Sequence, residues 1–420
     1  MNKFRLLVIS SDPYPPTRVD VSILFGEELA GRGHKIDWIL QSEAHCTRSY
    51  VASWGGGRAW VASANHRPSL LSRLHKHIAG IWNDTRVFGL LRGDQYDGVE
   101  VKDKFVSAVF ALLAARLHGK KFIYWLSYPF PEEYLRRAED GTARYPFLYR
   151  IRGAAFGILL YRVLLRAADH VFVQSDAMRR DLAGKGIALE KMTAVPMGIK
   201  APQPANTARI AESGDSRESG GQRSVIPSGV PAFLYLGSLS RSRYIDFLLR
   251  VLVKVGAGMP QARLYLVGKA DDPADEEFLR REAQRLGVSD SVVFVGQLPQ
   301  SQALQYVQDA DVCVSPLYPT PVFNVASPTK LVEYMAMGKA VVANTHPDQQ
   351  FLIDESGGGY CVPYEEEAFA KAILTLLRAP DMARMMGERG KRYALKHRTY
   401  GTIADIVERQ MINVLASPAT

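Results

Sequence analysis

At 420 residues the chain exceeds one ordinary domain, and its 47% hydrophobic content is enough for two sizeable cores. No apolar run reaches the roughly 18 uncharged residues of a membrane-crossing helix, and MNKFRLLVISSDPYPP lacks the pattern of a signal peptide, so a cytoplasmic location is expected. The net charge is +9, and the spacing of Cys46, Cys313 and Cys361 excludes a zinc module and a disulfide scaffold.

The charge is uneven. Residues 1–200 hold 29 Lys and Arg against 19 Asp and Glu, whereas residues 201–420 hold 23 against 24. The basic half implies an anionic partner, membrane or nucleic acid, unless its charge serves solubility alone. Basic and aromatic residues form no nucleic-acid recognition motif, so an anionic membrane surface is the expected partner and nucleic acid is not.

In chain order, Leu6–Ser10 reads as a buried strand, Val21–Arg32 as an amphipathic helix and Lys35–Gln41 as a strand. Gly98–Lys102 and Lys121–Leu126 read as strands flanking the helix Lys104–His118. Asp103 follows the first of these, either at a ligand cleft on the carboxyl edge of a sheet or as the N-cap of that helix. Tyr149–Ala168 is a long basic, apolar helix. The wider stretch Arg144–Arg166 fits a buried helix with one basic edge, which its apolar face favours, or a helix lying on an anionic bilayer. Ser69–Arg92 is also basic and amphipathic. His170–Gln174 and Asp176–Lys185 complete a strand and a helix. The alternation argues for a domain spanning 1–200 with a parallel sheet covered on both faces.

Ala201–Pro231 is rich in Ser, Gly and Pro and reads as a flexible linker or exposed loop. Residues 232–397 resume the alternation as a second doubly wound sheet. Its strands are Ala232–Gly237, Arg263–Gly268, Ser291–Gly296, Val312–Pro316 and Ala340–Ala343. Residues 398–420 form a last helix, free to return to the first domain.

The densest chemical signal lies in SPLYPTPVFNVASPTKLVEYMAMGKAVVA, from Ser315 to Ala343. Ser327 suits an N-cap and Pro328 the first helical position. The free N–H groups at Ser327 and Thr329, the helix dipole and the Lys330 ammonium together make an anion site. Glu333 stands three residues beyond Lys330 on nearly the same helical face. That pairing suits a phosphate beside a hydroxyl-bearing ring, as in a nucleotide. The alternative is a capping box with Ser327 and Glu333 in structural roles.

This stretch resembles the donor loop of the retaining GT-B glycosyltransferases, glycosyltransferase family 4. The family pattern has two Glu residues eight positions apart, then a small-residue helix, Gly and a Val-Val-Ala strand. Glu333 matches the second Glu, which holds the donor ribose, and the first position falls on Val325. YLGSLSRSRYIDFLLRVL resembles the segment whose Arg and Lys grip the donor diphosphate, with Gly237 matched, Arg243 at the Lys position and Arg241 nearby. RLYLVG, ending at Gly268, and VFVGQL resemble two strand-plus-glycine elements, which puts Gln297 and Leu298 against the base. In the first half the resemblance puts Arg18 where the family has a Gly-Gly loop, and Ser127, Tyr128 and Glu132 at the acceptor.

The resemblance implies two Rossmann-like domains facing a central cleft. It implies retaining transfer of a sugar from a UDP- or GDP-linked donor to a glycan or polyprenyl-linked acceptor, as in bacterial exopolysaccharide or surface-glycan assembly. Asp103, Arg243 and Lys330 are the expected catalytic groups, with neither metal nor cofactor required. The alternatives are a GT-B epimerase or phosphorylase, or a GT-B scaffold without catalysis.

Overall fold

The computed structural model describes residues 3–64, 70–201 and 224–417. The chain divides into two compact units, Met1–Met197 with Tyr400–Thr420, and Gly198–Thr399.

Among the described residues the first unit is built on eight strands: β1 (Arg5–Tyr14), β2 (Lys35–Ser42), β3 (Tyr50–Trp54), β4 (Gly57–Ala62), β5 (Gly98–Lys102), β6 (Lys121–Leu126), β7 (His170–Val173) and β8 (Met192–Ala194). Their order is β3-β4-β2-β1-β5-β6-β7-β8. All neighbours are parallel except β3 and β4, an edge hairpin that the alternation of apolar runs did not reveal. Strands β5 and β6 are buried at every position, as expected for a sheet covered on both faces. Strand β1 lies between β2 and β5, so chain direction across the sheet reverses there. Ligands of open parallel sheets bind outside the carboxyl ends of the strands at such a reversal.

The expected helix Val21–Arg32 is instead a short α-turn, Val19–Ser22, followed by a π-helical segment, Leu24–Leu29. The last helix, Tyr400–Ala416, packs on that segment in the first unit. It buries Tyr400, Ile403, Val407 and Met411 in the core beneath β1 and β2. Glu408 anchors it, accepting from Arg32 at 2.7 Å and lying 2.7 Å from the His34 ring.

Among the described residues the second unit has six parallel strands: β9 (Ala232–Leu236), β10 (Arg263–Val267), β11 (Val292–Gly296), β12 (Val312–Ser315), β13 (Ala340–Asn344) and β14 (Gly359–Val362). Their order is β11-β10-β9-β12-β13-β14, with the reversal between β9 and β12.

Three expectations need correction. Most of the expected linker, residues 202–223, lies outside the described residues. Its remainder is not a free loop: Ile226 is buried in the second core, and the Val225 N–H donates to Asp309 at 2.7 Å. Ser327 does not cap the helix that follows it. That helix is Thr329–Ala336 with Pro328 as its N-cap, and the Ser327 hydroxyl instead donates to Asp348 at 2.6 Å. Asp103 does not cap the helix Phe105–Leu117; Lys104 holds the N-cap position, and Asp103 takes a left-handed backbone conformation at φ 57°.

Candidate functional site

At the carboxyl ends of β9 and β10 the chain is reduced to bare backbone. Gly237 has φ +151° and Gly268 φ +135°, which L side chains rarely adopt. A Cβ on Gly268 would lie 2.0 Å from the Gly237 carbonyl oxygen. A Cβ on Gly237 would lie 3.0 Å from the Lys330 ammonium. The glycines therefore let backbone approach a flat group closely and leave room for the lysine.

Lys330 projects from the helix Thr329–Ala336 over Tyr235 of β9. Its Nζ donates to the Tyr235 phenol at 2.8 Å and lies 4.0 Å from the ring centroid. Burial lowers its pKa to about 7; Arg243 pushes the same way and Glu333 opposes. Burial also raises the Glu333 carboxyl, against the pull of Lys330. The Glu333 side chain accepts no hydrogen bond among the described residues, although it is half-buried. The helix is fixed by Tyr334, whose phenol accepts the Leu236 N–H at 2.7 Å. The loop before it is clamped by Asn344, which bonds both the N–H and the carbonyl of Leu317.

Arg243 is exposed, 5.5 Å from the Phe323 ring centroid, and close enough to Lys330 to bias its proton. Arg241 turns elsewhere: its guanidinium stacks 4.3 Å from the Phe278 ring centroid and its N–H donates to Asp275. Gln297 is exposed after β11, and Leu298 packs against the core. Thr329 opens the helix, half-buried. Ser327 is tied through Asp348 to Arg398, an ion pair of 2.6 Å, so its hydroxyl supports the loop. Val325 is buried, an apolar side chain at the sugar-facing position of the resemblance. The structure thus brings Gly237, Gly268, Arg243, Lys330 and Glu333 together, while Arg241 stacks on Phe278 and the Ser327 hydroxyl bonds Asp348. Tyr235 and Tyr334 were missed, because tyrosines in apolar runs read as core.

The first unit carries a second charged cluster, at its own reversal between β1 and β5. Lys102 is almost fully buried, and its Nζ donates to Asp20 and to the Ser127 hydroxyl, each at 2.7 Å. Arg18 forks onto Asp20 at 2.9 and 3.1 Å and lies 3.6 Å from Asp12 and 3.7 Å from Asp103. Burial pushes the Asp20 carboxyl up, but Lys102 and Arg18 outweigh it and hold it below its ordinary value. Asp103 accepts the Ser127 N–H at 2.8 Å through Oδ1, while its buried Oδ2 has no hydrogen-bond partner among the described residues. Burial raises its pKa, with Lys102 and Arg18 opposing. Tyr128 donates to Glu133 at 3.2 Å. Glu132 turns away from this cluster, accepting from Tyr161 and Lys185.

This geometry coincides with a known fold. The protein superposes on sucrose-phosphate synthase from Thermosynechococcus elongatus with a TM-score of 0.72 and 20% identity, over 98% of this chain and 99% of the other. It superposes on Anabaena HepE in complex with UDP-glucose at 0.65 and 15%, over 98% and 100%. Both are matches of fold, and the fold is GT-B. Two family models match the sequence: the glycosyl transferase 4-like domain over residues 24–198, and glycosyl transferases group 1 over residues 230–379. The chain belongs to the glycosyltransferase family that these two models describe. D-inositol 3-phosphate glycosyltransferase 2 of Catenulispora acidiphila is 27% identical over 211 residues, 48% of this chain and 47% of that protein. The chain thus spans about half the length of the curated relatives it matches.

Proposed function

We propose that the protein transfers a sugar from a nucleotide-sugar donor to a glycan or lipid-linked acceptor, with retention at the anomeric carbon. The observation that carries this is Lys330. A lysine whose pKa is lowered to about 7, hydrogen-bonded among the described residues to one phenol, lies beside bare glycine backbone and a carboxylate that accepts no hydrogen bond from those residues. A diphosphate satisfies Lys330 and Arg243, ribose hydroxyls satisfy Glu333, and the base lies along Gly268 toward Gln297 and Leu298. UDP-glucose in the HepE structure and the sugar-transfer names of the relatives support this reading.

In the transfer, the bond from the anomeric carbon to the diphosphate oxygen breaks. The acceptor oxygen bonds on the same face, and its proton passes to the departing phosphate. Negative charge grows on the diphosphate, where Lys330 and Arg243 stabilise it, so the reading requires no metal. Asp103, whose buried Oδ2 faces Arg18 and accepts no hydrogen bond among the described residues, is the first-unit group assigned to an acceptor hydroxyl. The setting proposed is surface-glycan assembly at the cytoplasmic face of the membrane.

Val325 favours one rival, a scaffold that binds donor without turning it over. The test is release of free UDP or GDP from a panel of nucleotide sugars, with and without polyprenyl-linked glycans. Acceptor-dependent release coupled to a lengthened glycan supports transfer. Saturable donor binding without release contradicts it, and so does release without a glycosylated product.

A further inference from the structure

The first unit exposes a broad apolar face that the donor site does not use. Three helices lie side by side on one side of its sheet: Leu70–Asp84, Phe105–Leu117 and the helical run from Pro146 through the π segment Ile158–Leu164. Phe156 of the third stacks on Phe105 of the second, with centroids 4.7 Å apart. The first helix places Leu74, Ile78, Ile81 and Trp82 at the spacing of a single helical stripe. Such a stripe ordinarily faces a core, yet here all four are exposed, Trp82 at 76%. The second helix exposes Val106, Leu113 and Leu117, again one stripe, with Leu117 at 72%. The third exposes Phe147, Leu148, Ile151 and Ile158, with Phe147 at 72%. The stretch Arg144–Arg166 thus buries Leu160, Leu164 and Leu165 on one side and turns a second set of apolar side chains outward.

The charge on these helices has one sign. The third helix and the second carry no Asp or Glu, and the first carries only Asp84, which is buried and paired with Lys104. Arg150, Arg162 and Arg166 are exposed and ion-pair with no carboxylate among the described residues. Among the described residues no helix is long and apolar enough to cross a membrane.

We propose that this three-helix face docks on the surface of an anionic bilayer, with the apolar stripes in the acyl boundary and the arginines among lipid phosphates. Apolar side chains flanked by unpaired arginines fit that boundary, where each guanidinium meets phosphate while its stem stays apolar. Self-association is the poorer fit, because a two-fold contact presses one basic face on another. The proposal stands apart from the donor site, and its failure leaves donor binding untouched.

The test is co-sedimentation of the full chain with vesicles of phosphatidylcholine alone and of phosphatidylcholine mixed with phosphatidylglycerol. The anionic vesicles are expected to bind at least about tenfold more tightly, with the advantage shrinking as salt rises. Brominated lipid should quench tryptophan emission, and Trp82→Phe should remove most of that quenching. The exposed substitutions Phe147→Glu and Ile151→Glu should abolish binding while leaving circular dichroism unchanged. Equal binding to neutral vesicles in high salt would overturn the proposal. So would anionic binding that these substitutions leave intact, or a dimer in light scattering that they dissolve.

Discussion

The two units place charged residues at the same point of the same architecture, the reversal of a parallel sheet, and treat them oppositely. In the first unit Lys102, Arg18, Asp20 and Asp12 satisfy one another in a closed network. In the second unit Lys330 has a phenol for its partner, and Glu333 accepts no hydrogen bond among the described residues. Mutual pairing makes these four side chains part of the fold and leaves the neighbouring Asp103 for the proposed acceptor, whereas Lys330 and Glu333, without such pairing, are left for the proposed donor. The fold supplies the location, and the pairing decides what the location does.

Removing one charge from each cluster tests this contrast. Lys102→Ala leaves Asp20 and Asp12 buried with Arg18 as their remaining counter-charge, which should cost about 3 kcal/mol of stability in denaturant unfolding. Lys330→Ala removes a cation that burial already disfavours, so its melting temperature should match or exceed that of the parent. A comparable loss in both variants would erase the distinction.

The pH dependence of donor binding is the next largest effect. Burial brings the Lys330 pKa down to about 7, and on the proposed reading a bound diphosphate would raise it again. Between about 7 and the ordinary lysine value of 10.5, binding therefore takes up a proton, and affinity should fall as pH rises, by at most about tenfold per unit. Calorimetry in buffers of different ionisation enthalpy would detect the proton. Its absence would mean that Lys330 does not meet the phosphate.

The smallest effect concerns Ser327. Its hydroxyl supports Asp348 and caps no helix, so Ser327→Ala should cost about 1 kcal/mol of stability with little change in donor affinity. A larger loss of affinity than of stability would return Ser327 to the binding site.

The parallel sheets were legible in the sequence, because strands buried on both faces leave continuous apolar runs such as Lys121–Leu126. The β3–β4 hairpin was not, since its outer strand is largely exposed and carries no such run. Lys330 and Glu333 could be placed on one face by helical spacing alone. The partners of Lys102 could not, because Asp20 lies 82 residues away and only the sheet brings them together. Ser327 misled for a local reason: serine before proline has the signature of a cap, and the distant Asp348 competes for its hydroxyl.

The central claim is that the helix Thr329–Ala336 holds the donor, and calorimetric titration with UDP and GDP tests it most directly. Glu333→Gln should weaken binding by about 1.5–3 kcal/mol, the range for hydrogen bonds to a charged group. Lys330→Ala should also weaken binding, and should lower turnover more than Glu333→Gln does, because charge on the diphosphate grows as it departs. If both folded variants bind nucleotide as tightly as the parent, the donor site lies elsewhere and the account is wrong.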